Sequence, residues 1–193
     1  MTTNTSKYRL LVLIAACSIG AILPAASHAG PIAVGPFYEF GFLGASFATG
    51  CDPTDPAGQF CTPSSGTPTS FLDAPPWTFN APFGGLLLTV TDVFQAGDRF
   101  DVYDFGALIG STSSPSGSAD CGDDPVSCLA DPNISKGLFK LAAGDHSIKI
   151  YASSADSGVG YLQASAIPEP RSFLSLCIGA FGLLWAMRRR FLG

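Results

Sequence analysis

The run Gly85-Leu86-Leu87-Leu88-Thr89-Val90-Thr91-Asp92, followed across one turn by Asp98-Arg99-Phe100-Asp101-Val102-Tyr103-Asp104-Phe105 and then by Ala107-Leu108-Ile109-Gly110-Ser111-Thr112, decides the fold class. β-Branched and aromatic side chains gather in short segments bounded by Gly, Asp and Pro, a composition that suits a pleated, half-buried surface. In the second segment Phe100 and Val102 fall on one side and Arg99, Asp101 and Tyr103 on the other. That is the period of two expected of an antiparallel strand with one face on a core.

Working outward, residues 37–43 and 77–80 upstream and 136–141, 146–152 and 160–166 downstream read the same way, with a turn at Ala143-Gly144-Asp145. Seven or eight strands, and no 3.6-residue apolar stripe between them, predict a mainly β body: an antiparallel β-sandwich or jelly roll. Two excursions interrupt the strands, at 50–76 and 113–132, and both are longer than ordinary connections. Pro53, Pro56, Pro63, Pro68, Pro75 and Pro76 exclude helix and interior strand from the first.

The ends read differently. Lys7 and Arg9 precede an apolar run that closes on Ala25-Ala26-Ser27-His28-Ala29, the charged, apolar and small-residue parts of an export signal, with cleavage expected after Ala29. At the other end an apolar run over 173–187 is followed by Arg188-Arg189-Arg190. The run is shorter than the roughly 20 residues of a full span, but its flanks extend it and the arginines suit the cytoplasmic side. The chain of 193 residues thus divides into a signal helix at 1–29, one domain at 30–166 and a transmembrane segment at 167–193. Within 30–166 four basic side chains face fourteen acidic ones. A field of that sign repels phosphate backbones, so nucleic-acid binding is not expected.

Export places Cys51, Cys61, Cys121 and Cys128 in an oxidising compartment. Four cysteines allow three pairings, and proximity in sequence favours Cys51 with Cys61 and Cys121 with Cys128. Zinc ligation would need histidines close by, and the body has only His146. His146 lies in a strand signal beside Asp145 without a Gly-x-Ser-x-Gly elbow, so an exposed strand histidine is expected and no enzymatic activity. Gly158-Val159-Gly160 lacks the remainder of a dinucleotide fingerprint. Asp92, Asp98, Asp101 and Asp104 cluster around one turn and strand, and Asp120, Asp123, Asp124 and Asp131 around the second cysteine pair. Turn formation explains such residues, while calcium, a ligand for grouped carboxylates, is the alternative for the first four. Trp77, Tyr103, Tyr151 and Tyr161 read as core or edge packing, with a sugar platform as the alternative.

Pro168-Glu169-Pro170, the apolar run and the arginine cluster together resemble the PEP-CTERM sorting domain of exported Gram-negative bacterial proteins. The resemblance covers residues 167–193 alone. It implies passage through the Sec machinery, recognition of Pro168, Glu169 and Pro170 by a membrane-embedded exosortase, and at least transient residence in the inner membrane with Arg188, Arg189 and Arg190 on its inner side. Delivery to the cell surface or an extracellular polysaccharide matrix would follow. The expected function is a non-catalytic surface or matrix protein without a cofactor; the alternative is a calcium-dependent module that binds exopolysaccharide.

Overall fold

A computed structural model describes residues 30–51, 61–153 and 156–167. The expected signal helix, the sorting motif from Pro168 to Arg190 and the apolar tail lie outside the described residues. Among those described, no helix is long and apolar enough to cross a membrane.

The alternating segments form strands: β1 (Phe37–Phe42), β2 (Ser46–Phe47), β3 (Thr49–Gly50), β4 (Thr69–Phe71), β5 (Trp77–Ala81), β6 (Leu86–Asp92), β7 (Phe100–Asp104), β8 (Ala107–Ser111), β9 (Lys136–Leu141), β10 (Gly144–Ala152) and β11 (Gly158–Ala166), with one helix, α1 (Pro125–Ala130). They build two sheets. One runs β3-β1-β11-β6-β9 with β4 on the edge of β1; the other runs β2-β10-β7-β8 with β5 on the edge of β10. All strand pairs are antiparallel except β1–β4. β4 lies inside the excursion expected to be loop alone. Its three residues fit between Pro68 and Pro75 because an edge strand needs only one side of its backbone paired. The expected turn at 143–145 is shorter than read, since Gly144 and Asp145 already pair with Ala81 and Asn80.

The inner faces of the two sheets share one core, as in a β-sandwich. Phe100 and Val102 point into it as their alternation requires, alongside Phe40, Phe42, Trp77, Leu88, Val90, Ile148, Ile150 and Leu162. Phe100 meets Phe40 and Phe42 edge-on across the sheets, with ring centroids 5.3 and 5.5 Å apart. Trp77 is wholly buried and its indole N–H donates to the Asp73 carbonyl at 2.8 Å. Gly158 and Gly160 are packing glycines: a Cβ there would stand 2.7 and 2.6 Å from the Phe42 and Phe40 rings.

The second excursion folds back over the outer face of the six-stranded sheet. Beneath it lies a second apolar cluster of Phe37, Val93, Cys128, Ile134 and Tyr161. This explains why β6 is buried on both faces, its outward Thr89 and Thr91 included.

Candidate functional site

Strand polarity sorts the connections by end. The links β5–β6, β7–β8 and β9–β10 are short turns at one end, whereas the described residues after β1, β6, β8 and β10, in 43–51, 61–76, 93–99, 112–135, 153 and 156–157, start from the other. The four loops are tied together. Phe94 N–H donates to Gly122 O, Cys121 N–H to Phe94 O and Ala96 N–H to Ala119 O, while Ser153 N–H donates to Arg99 O. Ser65 donates to the Asp123 carboxylate through its backbone at 3.0 Å and its hydroxyl at 2.8 Å, and Thr67 N–H donates to Asp124 at 2.9 Å. Both expected disulfides are present, Cys51–Cys61 and Cys121–Cys128, one in each long loop.

Helix α1 was not read from the sequence, although its signal is there: Asp124 is the N-cap and Pro125 opens the first turn. The Asp124 carboxylate takes both the N–H and the hydroxyl of Ser127. Hydrogen bonds from Thr67 and Ser127 hold its carboxyl far below the usual range. Lys136 closes the far end by donating to the Leu129 and Asp131 carbonyls at 2.6 and 2.7 Å. Asp120 and Asp131 each cap a turn, accepting from Gly122 N and Asn133 N. The second aspartate group therefore shapes the loop.

Among the described residues the four candidate calcium ligands do not form one group. Asp92 is fully buried at the end of β6, and its carboxylate accepts the N–H groups of Val93, Gly97 and Asp98, fixing the turn into β7. Burial, and then the charge of Asp98, push its carboxyl up to about 7 against those hydrogen bonds. Asp101 accepts from the Ser111 hydroxyl, and Asp104 from His146 and Ser147. Only Asp92 and Asp98 are brought together. Asp98 also lines a cleft of about 670 Å³ between three loops, with Asp120, Asp156 and the half-exposed ring of Phe94 on its walls.

His146 differs from its expectation: it faces inward, 8% exposed, and its partner is Asp104 rather than Asp145. Nδ1 lies 2.7 Å from Asp104 Oδ2 and Nε2 lies 2.9 Å from Ala142 O. Burial opposes its charge, but the Ala142 carbonyl and the Asp104 carboxylate outweigh it and raise the pKa. Trp77 and Tyr161 are buried, the latter donating its hydroxyl to Asp123 O at 2.7 Å. Tyr103 and Tyr151 stay at the surface, each edge-on to the half-exposed Phe47.

One buried group escaped the sequence reading. Glu39 lies opposite Tyr161 on the outer face of the six-stranded sheet, a position alternation would assign to solvent, yet it is 1% exposed. Burial is the main cause that lifts its carboxyl to about 7, with Asp123 adding to it against a Thr62 N–H bond. Among the described residues its Oε2 has no hydrogen-bond partner. Comparison with protein-family models, curated proteins and solved structures finds no match for this chain.

Proposed function

We propose that this chain is an exported, non-catalytic component of the cell surface or extracellular matrix, delivered by the Sec machinery and an exosortase acting at Pro168-Glu169-Pro170. The observation that carries the reading is the pair of disulfides, each closing a loop too polar to make its own core. His146 adds support, because both ring nitrogens are engaged by acceptors and neither is placed to serve as a base. Replacing Glu169 with Ala in the producing cell tests the route. Tail processing is expected to stop and the protein to accumulate in the inner membrane; normal processing and placement would remove the exosortase from the reading.

A second reading, calcium-dependent binding of exopolysaccharide, draws on the loop-end cleft and on topology. Counting only the eight strands of five residues or more, the sheets run first-eighth-third-sixth and second-seventh-fourth-fifth. We infer a jelly roll from that order, an architecture that lectin domains share, which is an analogy of fold and not of site. Calorimetry of the body with Ca²⁺ and the host's own polysaccharide tests it: binding of polysaccharide only with Ca²⁺ present supports the module, and no heat with either ends it.

A further inference from the structure

The turn end of the sandwich exposes apolar side chains that its own packing does not call for. Pro82-Phe83-Gly84-Gly85 joins β5 to β6 in a tight turn closed by the Gly85 N–H on the Pro82 carbonyl at 2.7 Å, with Gly85 at a φ of 76°. Proline and the glycines meet the demands of such a turn, and none of them requires an aromatic ring at position 83. Phe83 is nonetheless there, 101% exposed. Ala142 and Ala143, which link β9 to β10, are exposed at the same end, since Gly144 pairs with Ala81. Phe105, 69% exposed in the β7–β8 turn, stands on the flank, its N–H on the Ser147 carbonyl.

The described chain also leaves from this end. Ala166 pairs with Leu86 at the start of β6, and Ile167 Cδ1 lies 3.6 Å from where a Cβ on Gly85 would stand. Five residues, 168–172, separate Ile167 from the apolar run at 173–187. Even at full extension they put no more than about 22 Å between Ile167 and the first residue of that run. Charge points the same way. Residues 82–85, 105–106 and 142–144 contain no charged side chain, whereas Asp98, Asp120, Asp123, Asp124, Asp131 and Asp156 belong to the loop end. Next to the turns, Asp104 faces His146 and Asp145 accepts from Asn80 at 2.7 Å, while the exposed Lys140 suits an acidic surface. An anionic lipid surface therefore repels the loop end and admits the turn end.

We propose that the turn end rests on the phospholipid surface while the apolar run is in the bilayer, with the ring of Phe83 at the boundary between headgroups and acyl chains. The inference rests on the membrane-residence part of the proposed function. Aromatic rings favour that depth, where apolar area leaves water without entering the hydrocarbon core. One ring on an untethered body would hold weakly. A connection of five residues makes the contact intramolecular, at an effective concentration on the order of millimolar. The docked body keeps Pro168-Glu169-Pro170 at the membrane surface, within reach of an enzyme embedded in it. Cutting the tail makes the contact bimolecular, and the body is released.

The test uses the exported chain, signal removed and tail intact, in nanodiscs of phosphatidylethanolamine and phosphatidylglycerol that contain a gadolinium-chelating lipid. Amide relaxation read by NMR reports distance from the lipid surface. Enhancement at Gly84 and Ala142 is expected to exceed that at Phe94 and Cys121 about fivefold or more, because a strand length of about 30 Å separates the two ends. Phe83→Ser removes a wholly exposed ring and leaves the tail unchanged. It should cut the enhancement at Ala142 about threefold or more as the tethered body lifts from the surface. Equal enhancement at the two ends, or a Phe83→Ser chain in the discs with the parent's profile, would overturn the contact and leave the anchor standing. A parent chain that does not enter the discs would overturn both.

Discussion

The two ends of the sandwich solve the same problem with different means. At the turn end, short links join strands already in register, and local geometry suffices: Phe105 and Gly106 take positive φ values of 47° and 82°, turning β7 into β8. At the loop end the links are too long to be fixed by their flanking strands. There the protein uses two disulfides, carboxylates that cap backbone N–H groups, and hydrogen bonds from one loop to the next. The turn end is specified residue by residue, whereas the loop end is specified by partners distant in sequence, such as Ser65 with Asp123. The difference teaches where perturbation will be felt locally and where it will spread.

The sharpest break comes from the crosslinks. Reducing both disulfides in the presence of a chelator should lower the unfolding free energy by about 4–6 kcal/mol in denaturant titration, taking about 2–3 for each short loop. Amide exchange should accelerate at Phe94 and Cys121 well before it does at Ser147, since only the former bond within the loop end. Equal acceleration at both ends would mean that they unfold as one unit.

Next in size is a pH effect lodged at the loop end. The Glu39 carboxyl ionises near 4.5 in the unfolded chain and near 7 in the fold. Between those values the unfolded state binds fewer protons, so stability falls as pH rises and the loss levels off above 7. The expected contribution is about 3 kcal/mol. Asp92, raised in the same direction, adds to it. In Glu39→Gln the fall across this window should be measurably shallower; an unchanged pH profile would remove Glu39 as its source.

At the turn end the corresponding device is His146 with Asp104. The raised histidine pKa means that its stabilisation is complete below 6.5 and fades as pH rises through the folded value. Asp104→Asn should cost about 1–2 kcal/mol in mild acid and less in alkali, and should lower the histidine pKa followed by NMR. Smallest is Gly106→Ala, about 1 kcal/mol from forcing a Cβ into a left-handed turn where nothing else crowds it. Its effect should stay at the turn end and leave Phe94 exchange unchanged.

How much of this was legible follows the same division. The strands and inward residues such as Phe100 and Val102 could be read because alternation is a local signal, and both disulfides could be read because each cysteine pair is close in sequence. Glu39 could not, because alternation does not report what covers the outer face: the Cys51–Cys61 disulfide packs against its carboxylate and Tyr161 lies opposite it on the next strand. Thr89 and Thr91 were hidden because the chain between β8 and β9 folds over β6, where the Thr91 hydroxyl donates to the Ser135 carbonyl. Calcium ligation by four grouped aspartates was a sequence expectation that the fold divides, as Asp101 and Asp104 are turned to hydroxyl, imidazole and amide partners on their own sheet. His146 looked like a surface residue because its partner Asp104 lies on another strand.

The last strand has a further consequence. β11 starts at the loop end, where Gly160 pairs with Asp92, and finishes at the turn end, where Ala166 pairs with Leu86. Its nine residues measure about 30 Å at strand rise. A body fastened by whatever follows residue 167 would carry the acidic cleft at its far pole, about that distance from the point of attachment, where it would be among the first parts of the molecule met by anything approaching from outside.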